Sequence, residues 1–321
     1  MMDAMAALAR KLADGDTIVL DGATGTELQK RGAPMDDGAW CAVATATHPG
    51  LLRAIHEDYV RAGADIVTAN TFASARHLLE RAGIGERTAE LNRLAVRVAR
   101  EAAARAGDEV GRPIAVAGSL STMRPVGKGT DQRDPGVDLA TIPWAANLRE
   151  AAELQAEAGA DLLLLEMMSD LEHGGLALEA ALATGLPVWV GLSARRRDGE
   201  LMSFRDDGPT FATLVRHYSA QPIGALGVMH TSLPDTEDAL GILLDQAAMP
   251  VMAYPEAGYF RSPDWQFTEV EPAALAAAAC DWVRRGVRVV GGCCGLGPAH
   301  IAAVAAAVTA GHGMATDPPG S

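Results

Sequence analysis

Short, nearly continuous apolar runs alternate along this chain with longer segments rich in Ala, Leu, Arg and Glu, and Gly, Asp, Ser or Thr marks the junctions. The alternation recurs eight times, and strands are expected at Thr17–Leu20, Asp65–Thr68, Ile114–Ala117, Leu162–Leu165, Val188–Val190, Ala225–Val228, Val251–Ala253 and Arg288–Val290. Runs this short and this apolar suit parallel strands covered on both faces. Helices are expected between them at Arg87–Ala106, Pro143–Ala158, Asp170–Ala183, Pro209–Ser219, Pro234–Ala247, Pro272–Arg285 and Pro298–Ala310. In the first of these, Leu91, Leu94 and Val98 recur at the spacing of one buried stripe. Several open with Pro in or near the first turn, where its missing N–H costs nothing. Gly63, Gly159, Gly185 and Gly286 fall near helix ends, the usual place for a left-handed cap.

Strand–helix units repeated over about 300 residues without a break in composition point to one α/β domain, a single (β/α)8 TIM barrel over residues 1–310. A doubly wound sheet is the competing architecture. It would place a Gly-rich phosphate loop after a strand, and neither GxGxxG nor GxxxxGK[ST] occurs. Val126-Gly127-Lys128-Gly129-Thr130 is superficially similar but lies in a Pro-containing loop with no helix directly following. The Gly/Pro-rich segment Gly311–Ser321 is expected to be a disordered tail.

The 321 residues are 49% hydrophobic, enough for a large core, and this excludes disordered and fibrous classes. No apolar run reaches the ~18–20 residues of a membrane helix. Arg10-Lys11 near the N-terminus is not followed by an apolar segment, so no secretory signal is read and a cytoplasmic location is expected. With 27 basic and 41 acidic residues the net charge is −14, which offers no electrostatic footprint for nucleic acid. The expected partners are small molecules, with no membrane and no nucleic acid; a homo-oligomer is left open. The four cysteines are Cys41, Cys280, Cys293 and Cys294, and an adjacent pair without an export signal points first to metal binding or catalysis.

In such a barrel the chemistry sits at the C-terminal ends of the strands. Those positions hold Asp21-Gly-Ala-Thr24-Gly-Thr-Glu27, Asn70-Thr-Phe72, Gly118-Ser119, Glu166, Met229-His230, Tyr254-Pro-Glu256 and Gly291-Gly-Cys293-Cys294-Gly295. Thiolates favour Zn²⁺, but neighbours on a regular strand point to opposite faces, so both can reach one ion only if the backbone turns. The flanking glycines give that freedom. A buried pair or a strained vicinal disulfide is the alternative. His230 is the candidate third ligand, against the plainer reading of a hydrogen-bonded histidine at a strand end. Asp21 and Glu166 suit an ammonium group or acid–base work; alternatively Asp21 anchors its own loop and Glu166 pairs with an arginine. Thr24, Asn70, Tyr254 and Glu256 complete the substrate-binding candidates. Cys280 is expected to be packed core, and Cys41 carries no partner motif.

The opening Asp21-Gly-Ala-Thr-Gly-Thr-Glu-Leu28, with Thr68-Ala-Asn-Thr-Phe72, Leu163-Leu-Leu-Glu166 and Gly291-Gly-Cys-Cys-Gly295, resembles the homocysteine S-methyltransferase family, in order and over about residues 16–310. The resemblance implies a zinc barrel that methylates a thiol. Cys293 and Cys294 would hold the metal with a third cysteine after the sixth strand. The substrate thiol would take the open position, and Asp21 and Glu166 would help hold the amino acid. A free thiol has a pKa near ~8.5, and zinc coordination deprotonates it. The nucleophile would then attack a methyl group on a cationic sulfonium or ammonium donor, with a small sulfonium of the S-methylmethionine or S-adenosylmethionine type expected over betaine. Tyr254, Tyr259, Phe260 and Trp265 could face such a cation.

The chain departs from the family pattern where the site would be. His230 stands in the place of the third cysteine and Glu256 in the place of an asparagine. Gly118-Ser-Leu-Ser-Thr122 and Gly191-Leu-Ser193 are also altered. A histidine for a thiolate makes the ligand set one charge unit less negative, so a slower nucleophile with a well-activated donor is expected, and His230→Cys is expected to raise reactivity. The length leaves no room for the folate and cobalamin modules of large methionine synthases, which favours a free donor. Two other readings are a zinc lyase or hydrolase using zinc-activated water with Glu166 or Glu256, and a non-catalytic thiol or metal sensor built on Cys293-Cys294.

Overall fold

Each of the eight apolar runs forms a strand in the computed structural model, which describes residues 3–313. They are β1 (Ile18–Val19), β2 (Ile66–Thr68), β3 (Ala115–Ser121), β4 (Leu162–Met168), β5 (Val188–Leu192), β6 (Ala225–Ser232), β7 (Val251–Glu256) and β8 (Val289–Val290). All pair in parallel in the order β1-β8-β7-β6-β5-β4-β3-β2, and a bridge between Leu20 and Ile66 brings the two ends of the sheet together. The result is the expected (β/α)8 barrel, and the doubly wound alternative is excluded. The 126–130 segment is a turn whose Gly129 N–H donates to Ser262, with no helix after it.

Burial on both faces explains why the runs lack alternation. Ile18, Leu20, Ile66, Ala117, Leu162, Leu164, Trp189 and Met252 fill the barrel interior. Their neighbours Val19, Val67, Val116, Leu163, Leu165, Val190 and Leu226 pack outward on the helices. Helix Ala4–Asp14 adds Leu8 to the interior cluster, and its Lys11 reaches Asp65 just before β2 at 2.7 Å. The helix therefore lies across the N-terminal ends of the strands and leaves the other end open.

The expected helices are present with shifted ends; Arg87–Ala106 runs as Thr88–Val110, and Pro272–Arg285 is as expected. Gly63, Gly159, Gly185 and Gly286 all have positive φ, from 76° to 114°. The last helix continues from Pro298 to Gly313, past the expected boundary at 310, and the remainder of the expected tail, 314–321, lies outside the described residues. Helices Ala4–Asp14, Thr24–Lys30, Ala42–Thr47, Pro49–Arg61 and Arg76–Arg81 were not expected. Thr24–Lys30 carries glycine in its first turn and Ala42–Thr47 is β-branched, which weakens the local signal. Two antiparallel hairpins, Ala194–Ser203 after β5 and Gly258–Phe267 after β7, were not expected either. Among the described residues no helix is long and apolar enough to cross a membrane.

Strands β3, β4, β6 and β7 run beyond their expected apolar ends, so Ser119, Glu166, His230 and Glu256 stand on the strands themselves. Rigid placement of polar side chains at the open end is the contribution of the fold to the site.

His56, on helix Pro49–Arg61, is fully buried, and among the described residues neither ring nitrogen has a hydrogen-bond partner. Burial pushes its pKa from 6.5 down to about 4. Between those values the unfolded chain binds a proton that the folded chain refuses, so stability falls with pH. Wild type should lose about 2 kcal/mol more than His56→Leu as pH falls from 7 to 5. Thermal unfolding across that range checks this; parallel curves would sink it.

Candidate active site

Beyond β8 the chain turns sharply. Leu296 N–H donates to the Cys293 carbonyl at 3.1 Å, and Gly295 has φ 84°, a backbone that favours glycine. Of the three flanking glycines only Gly295 has positive φ. The turn brings the two thiols to the same side, with Sγ–Sγ 3.8 Å, so they are free thiols and not a vicinal disulfide. Cys294 is buried and Cys293 half-buried at the cavity floor.

His230 reaches them from β6. Its φ is 43°, and the β6–β7 register shifts between Met229 and Ser232, a bulge that re-aims the side chain. Nδ1 lies 4.0 Å from Cys293 Sγ, and the ligand atoms of His230, Cys293 and Cys294 all fall within 4.8 Å of one another. Two thiols and an imidazole converging at a cavity floor form a donor set suited to a tetrahedral Zn²⁺ with an open fourth position. The Glu256 Oε2 stands 2.7 Å from His230 Nδ1. Burial opposes a charge on His230, but the charges of Glu256 and Cys293 raise its pKa to about 10. The hydrogen bond between the two thiols pushes Cys293 down and Cys294 up.

Asp21 follows β1 and is 2% exposed. Its Oδ2 accepts the Thr68 N–H at 2.6 Å and its Oδ1 the Thr68 hydroxyl at 2.9 Å, so it clamps β2 and does not cap its own loop. Glu166, on β4 just before a second bulge at Met167 (φ 57°), accepts a short hydrogen bond from the Ser119 hydroxyl and does not pair with an arginine. Burial, outweighing the Thr68 bonds, raises Asp21 to about 7. Burial and the nearby Cys293 charge raise Glu166 to about 8. Neither Thr68 nor Ser119 had been singled out as a partner, because only the strand register sets them beside these carboxylates.

These groups line a cavity of about 540 Å³. Thr24 begins the helix at its edge, and its buried Oγ1 has no partner among the described residues. Tyr254 stands on β7 with its hydroxyl likewise unpartnered, in space that a side chain at Gly191 would occupy, since a Cβ there would lie 2.2 Å from that oxygen. Asn70 lines the cavity, but its amide is committed: it donates to the Cys41 carbonyl and Thr45 Oγ1 and accepts from Cys41 Sγ at 3.1 Å. Glu256 does not line the cavity; it stands behind His230. Cys280 is half-buried in helix Pro272–Arg285.

Of the aromatic walls, Trp40 and Phe204 were not marked by the sequence pattern, whereas Phe72, Phe260 and Trp265 were. Phe260 and Trp265 face the cavity from one hairpin, Phe204 comes from beside the other, and Trp40 and Phe72 complete an aromatic rim. The Phe204 and Trp265 rings lie 5.0 and 5.6 Å from His230. Tyr259, on the opposite face of its strand, is 56% exposed and does not line the cavity. Period-two alternation within Gly258–Phe267 is the signal that separates Phe260 from Tyr259.

The family model described as homocysteine S-methyltransferase matches residues 18–308. The chain is 32% identical to the homocysteine S-methyltransferase of Escherichia coli over 91% of its own length and 95% of that protein. It is 26% identical to the selenocysteine Se-methyltransferase of Brassica oleracea var. italica, over 90% of this chain and 88% of that one. The crystal structure of the metallated form of the E. coli homocysteine methyltransferase MmuM superposes with a TM-score of 0.74 at 28% identity, covering 93% of this chain and 99% of that chain.

Gly295 is the position on which the thiol pair turns, and a Cβ there would stand 2.0 Å from the Ala257 carbonyl oxygen. Gly295→Ala should cost about 2 kcal/mol or more and separate the thiols. Thermal unfolding and thiol alkylation rates check this; an unchanged melting temperature would show that the turn tolerates a side chain.

Proposed function

The chain belongs to the homocysteine S-methyltransferase family, and from that premise we propose that it moves a methyl group from a small sulfonium donor to the sulfur of homocysteine or a closely related thiol, with zinc held by His230, Cys293 and Cys294. Membership makes it an S-methyltransferase; the donor, the zinc and the residue roles are our reading. The observation that carries the reading is the convergence of two thiols and an imidazole within 4.8 Å at the floor of an aromatic-walled cavity.

When bound, zinc would keep the acceptor sulfur deprotonated at neutral pH, where a free thiol of pKa ~8.5 is mostly protonated. Asp21 and Glu166 hold the ammonium group of the acceptor amino acid. That cation favours their ionised forms, which burial alone disfavours. The Thr68 and Ser119 hydrogen bonds fix where the two carboxylates point. Thr24 Oγ1 and the Tyr254 hydroxyl, both unpartnered, are free to bond the polar end of a ligand. Asn70 contributes by holding the 41–45 segment against the cavity.

The aromatic rim formed by Trp40, Phe72, Phe204, Phe260 and Trp265 excludes water and faces the positive donor with ring π-systems. In the transfer, a lone pair on the acceptor sulfur forms the new bond to the methyl carbon. The donor's carbon–sulfur bond breaks, and its electron pair stays on the donor sulfur, which leaves as a neutral thioether. No proton moves in this step. The side chains act by placing the reactants in line and by keeping the donor's charge out of bulk water.

Elemental analysis of reduced protein should find about one zinc per wild-type chain. It should be lost in Cys293→Ser and in His230→Ala. The wild type should convert homocysteine to methionine with S-methylmethionine as donor, read by mass spectrometry. Zinc that is indifferent to His230, or no methionine from any sulfonium donor, would refute the corresponding part of the reading.

A further inference from the structure

Four arginines line the cavity, Arg124, Arg133, Arg195 and Arg205, and their side chains are employed very differently. Arg205 is locked between Asp170 and the carbonyl and hydroxyl of Thr122. Arg124 pairs with Asp207 and Asp170. Arg133 is exposed, and no ion pair among the described residues holds it. Arg195, on the hairpin Ala194–Ser203, is held in place and yet has spare donors.

Its guanidinium makes one long hydrogen bond, 3.4 Å to Asp131 Oδ2, and an ion contact of 3.9 Å to Asp206 Oδ1. A guanidinium has five N–H donors, so most of those on Arg195 are left for another acceptor. What fixes the group is the Phe204 ring, whose centroid lies 4.2 Å from the Arg195 Cζ. An arginine held over a ring face is placed without spending its N–H groups. The same Phe204 ring lies 5.0 Å from the His230 ring, so a single side chain separates this cation from the centre at the floor.

We infer, on the sulfonium-donor reading above, that Arg195 is the residue that selects the donor: its guanidinium binds a carboxylate at the far end of the sulfonium. The direction of transfer puts that end at the cavity mouth. Acceptor sulfur, methyl carbon and donor sulfur must lie nearly in line. With the acceptor at the floor beside Asp21 and Glu166, the donor sulfur and all that it carries lie on the outward side. Exposure rises in that direction, from 8% for the His230 side chain to 31% for Arg195 and 65% for Asp206. An extended amino-acid sulfonium carries its carboxylate about 5 Å beyond its sulfur. That span is comparable with the steps from His230 through Phe204 to Arg195.

Charge points the same way. A donor carboxylate directed inward would meet the acids Asp21 and Glu166, and like charges brought together are costly. Directed outward, it meets a cation whose own partners are loose enough to be displaced, since Asp131 and Asp206 are 36% and 65% exposed and are solvated without it. A planar fork also accepts a carboxylate through two parallel hydrogen bonds, which a point charge does not.

Steady-state kinetics with two donors tests this. One is S-methylmethionine; the other is dimethylpropylsulfonium, the same sulfonium without its amino-acid end. The readout is the ratio of kcat/KM for the two. In Arg195→Gln that ratio should fall roughly 10- to 30-fold, the loss appearing in KM for S-methylmethionine, because a contact remote from the methyl group is made equally before and during transfer. Arg195→Lys keeps the charge without the fork and should recover part of the preference. Circular dichroism confirms that each variant is folded; if Arg195→Gln is not, Arg195→Lys decides by the same comparison. An unchanged ratio overturns the inference whatever happens to the absolute rates, since release of Phe204 alone would slow both donors alike. That result leaves the donor reading intact. Wild-type protein that transfers no methyl group from any sulfonium overturns both.

Discussion

Successive side chains of a β-strand leave on opposite faces, so a barrel offers its cavity only every second residue of each strand. The site of this protein is built where that rule is broken. A turn at Cys294-Gly295 brings adjacent thiols to one side, a bulge at His230 turns an imidazole toward them, and a second bulge at Met167 follows Glu166. Elsewhere the strands keep their alternation, and the interior below the site is filled by apolar side chains. Without those local departures the same residues would be divided between the cavity and the helix-facing side of the barrel.

The second constraint is the cost of taking charge out of water. Asp21, Glu166 and Glu256 all lie at the open end with little or no access to solvent, and each has a specific partner: Thr68, Ser119 and His230. The partners differ in kind, and so do the consequences. Burial outweighs these neutral donors and leaves Asp21 raised to about 7 and Glu166 to about 8. Glu256 faces a group that can itself carry a proton, with its Oε2 2.7 Å from the His230 Nδ1. Asp21 and Glu166 thus line the cavity, whereas Glu256 stands outside its lining, behind His230.

Much of this was legible along the chain. The eight strands were readable because parallel strands buried on both faces must be short and apolar, and seven later helices because their stripes and proline starts are local features. Cys293, Cys294, Asp21 and Glu166 stood out because they fall at strand ends within recognisable runs. Less visible were helices Thr24–Lys30 and Ala42–Thr47, whose glycine and β-branched residues argue locally against helix, and the two hairpins that carry Phe204, Phe260 and Trp265 to the cavity. Asn70 shows the limit from the other side: it was marked for its polar side chain at a strand end, and that side chain is committed to the 41–45 segment.

The sequence by itself determined the order of the elements, the fold class and which strand ends carry thiols, acids and an imidazole, because burial periodicity and residue chemistry act over a few neighbouring positions. Only the tertiary structure decided which of those groups meet. Thr68 lies beside Asp21, Ser119 beside Glu166, and Glu256 beside His230 because parallel pairing sets the register between strands far apart in the chain. A carboxylate near a strand end has the same local signature whether it faces a substrate or a neighbouring histidine; packing across the sheet makes the distinction.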